Sequence, residues 1–152
     1  MGARRKAREF ALQALYLIDI TQLPPEKALR GILYVNKIEE RTKSFARWLT
    51  MGTVEHKADL DEIITSVATN WEIKRMAVLD RNLLRLCAYE LLHELETPAS
   101  VIIDEAVEIA KTFSTDDSGK FVNGILDKIK SKRNPAGARS KSDGKREDTP
   151  NA

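Results

Sequence analysis

At 152 residues, with 42% hydrophobic and 32% charged side chains, the chain is sized for one domain that buries roughly two thirds of its unfolded surface. No apolar run approaches the ~20 residues of a membrane span, and the first residues lack the apolar stretch of a signal peptide. The single cysteine, Cys87, excludes an internal disulfide, so a soluble cytoplasmic protein is expected. The net charge of +2 is unevenly spread: residues 1–10 carry +3, residues 131–152 carry +3, and the body between them carries −4. Attraction for polyanions is therefore expected at the ends of the chain.

The opening "MGARRKAREFALQALYLIDI" reads as an amphipathic helix from about Ala3, with Ala7, Ala11, Ala14, Leu15 and Ile18 along one stripe. Its first turns carry Arg4, Arg5, Lys6 and Arg8, where the helix dipole disfavours cations. A second, shorter helix starts at the Pro-Pro of "TQLPPEKALRGILYVNKI", with Ala28, Leu29, Ile32 and Leu33 at helical spacing. From about Glu39 to Ala68 no proline interrupts a helical period, which predicts one long helix or two nearly collinear ones, with Gly52 as a kink or a close contact. After a connector near Asn70 comes a helix apolar on most sides, through Leu79, Leu83, Leu86 and Leu91, which is expected to be central. Thr97 and Pro98 are expected to cap and open a helix over 98–112, and after "STDDSGK" a last helix spans roughly 117–130. No segment alternates with strand period, so the fold class is all-α, and the polar tail from Ser131 is expected to be disordered.

Reactive constellations are sparse. Glu90 and His93 have the Glu-x-x-His spacing of di-iron bundles, but the only other histidine, His56, has Thr53 where a second glutamate would stand. Cys87 lies among Leu83, Leu84, Ala88 and Leu91 without an activating histidine, which reads as core. The "SGKF" segment resembles the end of a phosphate-binding loop and lacks its glycine and its Ser or Thr. Asp104, Glu105 and Glu108 sit near a helix start, where the dipole already explains them. No metal, cofactor or catalytic residue is expected.

The misplaced cations acquire a purpose beside Gln13 and Tyr16, an amide and a stacking ring further along the same helix. Guanidinium groups for phosphates and an aromatic face for an unstacked base are the tools of single-stranded RNA recognition. Three blocks, "ARRKAREFALQALY", "DRNLLRLCAYELL" and "VIIDEAVEIAKTFSTDDSGKFVNGILDKI", together resemble the NusB family of transcription antitermination factors over most of residues 3–130. The resemblance implies two small helical bundles packed at an angle in residues 1–130, followed by an idiosyncratic tail at 131–152, and no catalysis. It implies binding to boxA RNA of nascent ribosomal transcripts with the ribosomal protein NusE, alongside other Nus factors on RNA polymerase. It leaves open whether the free protein is a homodimer.

Carried over by motif, the RNA face comprises Arg4, Arg5, Arg8, Gln13 and Tyr16, joined by Phe113, Asp117, Lys120, Phe121 and Asn123. Lys6 stands where the family often has Arg, which keeps charge and loses the planar fork. The partner face comprises Asp80, Arg81 and Leu84 on the central helix. Read from spacing alone, Phe121 fits core packing with Ile125 and Ile129, Asp117 fits a helix N-cap, and Asp80, Arg81 and Arg85 fit an intrahelical charge set. Two rivals stand beside this reading: an accessory domain for ribosomal RNA modification, and a metal-carboxylate helical enzyme built on Glu90 and His93.

Overall fold

The computed structural model describes residues 2–34 and 37–133. Among them the chain is helical, with no strand: α1 (Ala3–Thr21), α2 (Pro25–Leu33), α3 (Glu40–Glu55), α4 (Lys57–Val67), α5 (Val78–His93), α6 (Ala99–Phe113) and α7 (Asp116–Ile129). Short 3₁₀ turns at Ile73–Arg75 and Lys130–Lys132 precede α5 and follow α7.

Two cores divide these helices. In the smaller, Ala7, Ala14, Ala28, Leu29, Leu33 and Ala46 join α1, α2 and α3, and the alanines let the helix axes approach closely. The larger core gathers Leu12 and Leu15 of α1 with Leu49, Leu60 and Ile64, then with the apolar faces of α5, α6 and α7. Helix α1 belongs to both, which makes it the shared wall of two small bundles. Central α5 buries Leu83, Leu84, Leu86, Cys87, Ala88 and Leu91 completely or nearly so, as its all-round apolar pattern requires. Cys87 is enclosed, and burial pushes its thiol well above its ordinary value, so it packs as a small hydrophobe.

The stretch 39–68 forms two helices. The break falls at His56, four residues after Gly52, and His56 Nδ1 lies 2.9 Å from the Gly52 carbonyl oxygen. Gly52 is the close contact: a Cβ there would lie 2.0 Å from Tyr89 Cζ, so α3 meets the Tyr89 ring of α5 only because the side chain is absent.

Local chemistry sets the other boundaries. Pro24 caps α2 and Pro25 occupies its first turn. Pro98 caps α6 without a side-chain bond, so the expected cap by Thr97 is corrected: the Thr97 hydroxyl donates to Glu94 Oε2 at 2.8 Å instead. At α7 the cap is Thr115, whose hydroxyl accepts from the Ser118 amide at 3.0 Å, and Asp117 lies in the first turn where the dipole favours it. Order continues past the expected end of the domain. Arg133 folds back onto the end of α5, its Nη2 donating to the carbonyl oxygens of Glu94 (2.6 Å) and Thr97. The remainder of the expected disordered tail, residues 134–152, lies outside the described residues.

Candidate nucleic-acid interface

The cations of α1 answer their unfavourable dipole with carboxylates from distant helices. Arg8 is buried and bidentate to Glu90, with Nε–Oε1 2.8 Å and Nη2–Oε2 2.6 Å, and the two side chains are 3% and 0% exposed. Arg5 is bidentate to Glu105 of α6, its Nη2 2.8 Å from Oε2, and this bond holds the Glu105 carboxyl below the usual range. Arg4 donates to Glu94 Oε2 at 3.1 Å and lies over the Phe45 ring, 4.2 Å from its centroid. Lys6 points outward with a loose contact to Glu9 at 3.8 Å. The cluster that looks continuous in sequence is thus divided three ways. Arg8 faces inward, so its expected direct contact with RNA is corrected to a structural role, and Glu90 is its counterion rather than a metal ligand.

Arg4 and Lys6 stay exposed, and Arg5 keeps an outer edge. Arg5, Gln13 and Tyr16 are spaced i, i+8 and i+11 and share one stripe of α1, where Gln13 is exposed and the Tyr16 ring is 42% exposed. Glu105 ties that stripe to α6. Eight residues further, roughly 12 Å along the helix axis, Phe113 stands 38% exposed beside the turn into α7. On α7, Asp117, Lys120 and Asn123 are exposed and Phe121 is half-buried. Phe121 is therefore neither core nor free: it packs against the larger core and meets Trp71 edge-to-face at 5.3 Å between centroids.

The expected partner face changes most. Leu84 is fully buried, so it is removed as a surface contact, because α5 turns that position into the larger core. Arg81 is not paired within its own helix: its Nε and Nη2 donate to Asp19 of α1 at 2.8 and 3.0 Å. Asn82 and Arg85 converge on the same carboxylate, and Arg85 also bridges to Asp61 of α4 with Nε–Oδ1 2.7 Å. The Arg81 bond, reinforced by Asn82, holds the Asp19 carboxyl below its ordinary value. Asp80 is nearly buried and accepts from the Ser118 hydroxyl at 3.2 Å, while burial pushes its carboxyl up.

A second aromatic group escapes the sequence. Trp48, Tyr89, His93 and His56 cluster where α3 meets α5, with Tyr89 and His93 stacked at 4.5 Å and the Trp48–Tyr89 and His56–His93 pairs tilted, the latter at 4.9 Å. Partial desolvation against these rings, then the neighbouring His56, hold the imidazole of the otherwise exposed His93 below its ordinary value. No group of three His, Cys, Asp or Glu side chains is placed to hold a metal among the described residues, and none of their helices is long and apolar enough to cross a membrane.

Among the described residues, seven helices form two small bundles that share α1, and with cations and rings spread over an open surface they define a helical binding domain. The family model described as "NusB family" matches residues 5–131. The transcription antitermination protein NusB of Symbiobacterium thermophilum is 44% identical over 135 residues, covering 84% of this chain and 88% of that protein. The one from Bacillus velezensis is 43% identical over 127 residues, covering 84% and 95%. Among solved structures, T. maritima NusB aligns with TM-score 0.82 at 39% identity, covering 89% of this chain and 95% of that one. A structure of antitermination factors NusB and NusE in complex with dsRNA aligns with TM-score 0.76 at 27% identity, covering 86% and 97%. The chain belongs to the NusB family of transcription antitermination proteins.

Proposed function

We propose that this chain is an antitermination factor that binds boxA-type single-stranded RNA of nascent ribosomal transcripts, together with a NusE-type ribosomal protein. In this reading the pair joins other Nus factors on RNA polymerase in the cytoplasm. One observation carries it: exposed cations and rings on α1 (Arg4, Lys6, Tyr16) and at the α6–α7 turn (Phe113, Lys120) are linked through the Arg5–Glu105 pair. Cations take phosphates and rings take unstacked bases, and two patches on one domain suit an extended strand rather than a single nucleotide. The solved complex of NusB and NusE with dsRNA supports RNA as the ligand class and NusE as the partner class, while the preference for a single strand rests on the exposed rings.

The RNA face is then Arg4, Arg5, Gln13 and Tyr16 with Phe113, Asp117, Lys120, Phe121 and Asn123, while Arg8 supports it from below. The partner face retains the outer edges of Asp80 and Arg81 on α5 and loses Leu84. Fluorescence anisotropy of a labelled boxA-like RNA tests the reading. The full chain, a truncation after Arg133 and Arg4→Ala/Lys6→Ala are titrated with and without the ribosomal partner, at two salt concentrations. The truncation is expected to keep its preference over a scrambled RNA, and the double variant to lose affinity with a shallower salt slope. Equal binding of the scrambled RNA, or binding that disappears with the tail alone, would refute it. Repeating the titration over protein concentration, with sedimentation, reads whether two copies pair in the free state.

A further inference from the structure

Glu105 stands where a face meant for RNA should carry no acid. Its carboxylate lies against Arg5, and Glu9 and Glu108 act on the same guanidinium, so three carboxylates surround this one cation. The helix dipole does not explain it. The first turn of α6 holds no acidic residue and Glu105 lies beyond it, which corrects the expectation drawn from its place near a helix start. The contact is geometric instead. Glu105 follows the buried Ile102 and Ile103 and precedes the buried Ala106 and Ile109, so the larger core fixes its backbone. Its two oxygens take Arg5 Nε and one hydrogen of Nη2, and the Glu105 and Arg5 side chains stay 23% and 21% exposed. A guanidinium carries five donors in one rigid plane, so Arg5 keeps a second, parallel pair on its Nη1–Nη2 edge. Among the described residues no hydrogen bond uses that edge.

We propose that Glu105 is a positioning residue for RNA, holding the Arg5 fork so that its Nη1–Nη2 edge is set to take two oxygens of one phosphate. The inference rests on the reading of this chain as a single-stranded RNA binder with Arg5 on its RNA face, and adds the residue that orients Arg5. A phosphate accepts two parallel N–H bonds from one guanidinium edge, which an ammonium group cannot supply. A free arginine loses much rotamer freedom when it makes such a contact, and an arginine already held by a carboxylate has lost it on folding. The repulsion between Glu105 and the incoming phosphate is the opposing effect. It is blunted because both Glu105 oxygens are turned onto Arg5.

The sign of one substitution separates positioning from charge. Glu105→Gln removes a carboxylate beside the RNA, so charge alone predicts tighter binding, whereas a released fork predicts weaker binding. In the full-length protein, Glu105→Gln is expected to weaken the labelled boxA-like RNA about fivefold by anisotropy. Glu108→Gln removes the same charge from the same helix, where the side chain has only a loose contact to Lys111 at 3.7 Å, and should not weaken binding. In an Arg5→Lys background no fork exists to be held, and there Glu105→Gln should tighten binding about twofold. Glutamine keeps the helix propensity of glutamate, and circular dichroism confirms that each variant is folded. Unchanged or tighter binding by Glu105→Gln with Arg5 in place, the same change in both backgrounds, or an equal loss from Glu108→Gln overturns this inference alone. A parent chain that fails to bind the RNA overturns the functional reading with it.

Discussion

Replacing Arg8 by alanine should unfold more of the domain than any other change to the basic cluster. The guanidinium makes two charge-assisted bonds to Glu90 at 2.8 and 2.6 Å, and neither side chain reaches solvent to any extent. A third contact, Nη1 to Glu105 at 4.0 Å, is too long to hold the remaining charge. Arg8→Ala therefore leaves the Glu90 carboxylate enclosed without a counterion, a loss of about 3–5 kcal/mol. Against a total stability of about 5–15 kcal/mol this is a large fraction. With a urea dependence of about 2 kcal/mol per molar, the midpoint should fall by roughly 1.5–2.5 M. Urea titrations followed by circular dichroism and tryptophan emission measure it. The paired change Arg8→Met with Glu90→Leu fills the same space without charge and should recover most of the loss. That double variant should also keep its RNA affinity, because Arg8 does not reach the surface, whereas Arg4→Ala should cost at most about 1 kcal/mol of stability. A midpoint for Arg8→Ala within about 0.5 M of the parent, or a double variant as unstable as the sum of its parts, would refute the assignment of Arg8 to the interior.

Asp19, held below its ordinary value chiefly by Arg81, contributes stability at neutral pH that is lost as the pH falls below about 4. Asp19→Asn should thus cost about 1.5–3 kcal/mol at pH 7 and progressively less toward pH 3; a gap independent of pH contradicts the pairing. His93 works in the opposite chemical sense. Its folded value is depressed, so the unfolded chain takes up its proton first as the pH drops below about 6.5 and stability falls. His93→Phe should keep the stacking and flatten the change in melting temperature between pH 7.5 and 5.5. Gly52→Ala should cost about 1–3 kcal/mol by driving a Cβ into the Tyr89 ring, with a change in Trp48 emission, and an unchanged melt would show that the ring yields freely. A chain ended after Lys130 should be less stable by about 1–3 kcal/mol than one ended after Arg133, because the carbonyls of Glu94, the C-cap of α5, and of Thr97 in the following loop lose their guanidinium donor; equal urea midpoints would dismiss that latch.

Helical periods are local, and so the sequence shows them plainly: the stripe of α1, the Pro-Pro opening of α2 and the apolar wrap of α5 all stand where periodicity puts them. The α6 cap assignment missed by one residue, since Thr97 and Pro98 both suit a helix start and the local bond from Thr97 to Glu94, three residues back, takes the hydroxyl away from the helix. What stays hidden is pairing across the chain. Nothing near Arg8 announces that its partner is Glu90, and a basic run reads the same whether its members face water or core. Leu84 shows the converse, since a leucine on an all-round apolar helix carries no mark of which neighbour covers it. Trp71 does carry a local signal, since a large aromatic inside a polar connector has no packing reason of its own to be there.

The long reach of the first-helix contacts has a consequence for synthesis. Arg8, Arg4 and Arg5 find their carboxylates 82, 90 and 100 residues later in the chain. A growing polypeptide therefore packs α1 against α2 and α3 but leaves these guanidinium groups without their carboxylates until α5 and α6 have left the ribosome, and contacts of such separation form late. The aromatic half of the surface, on α6 and α7, emerges later still. An interrupted chain presents these cations without their carboxylates and without the rings of Phe113 and Phe121, while a finished one holds both. The arrangement makes competence for binding a property of completed molecules only.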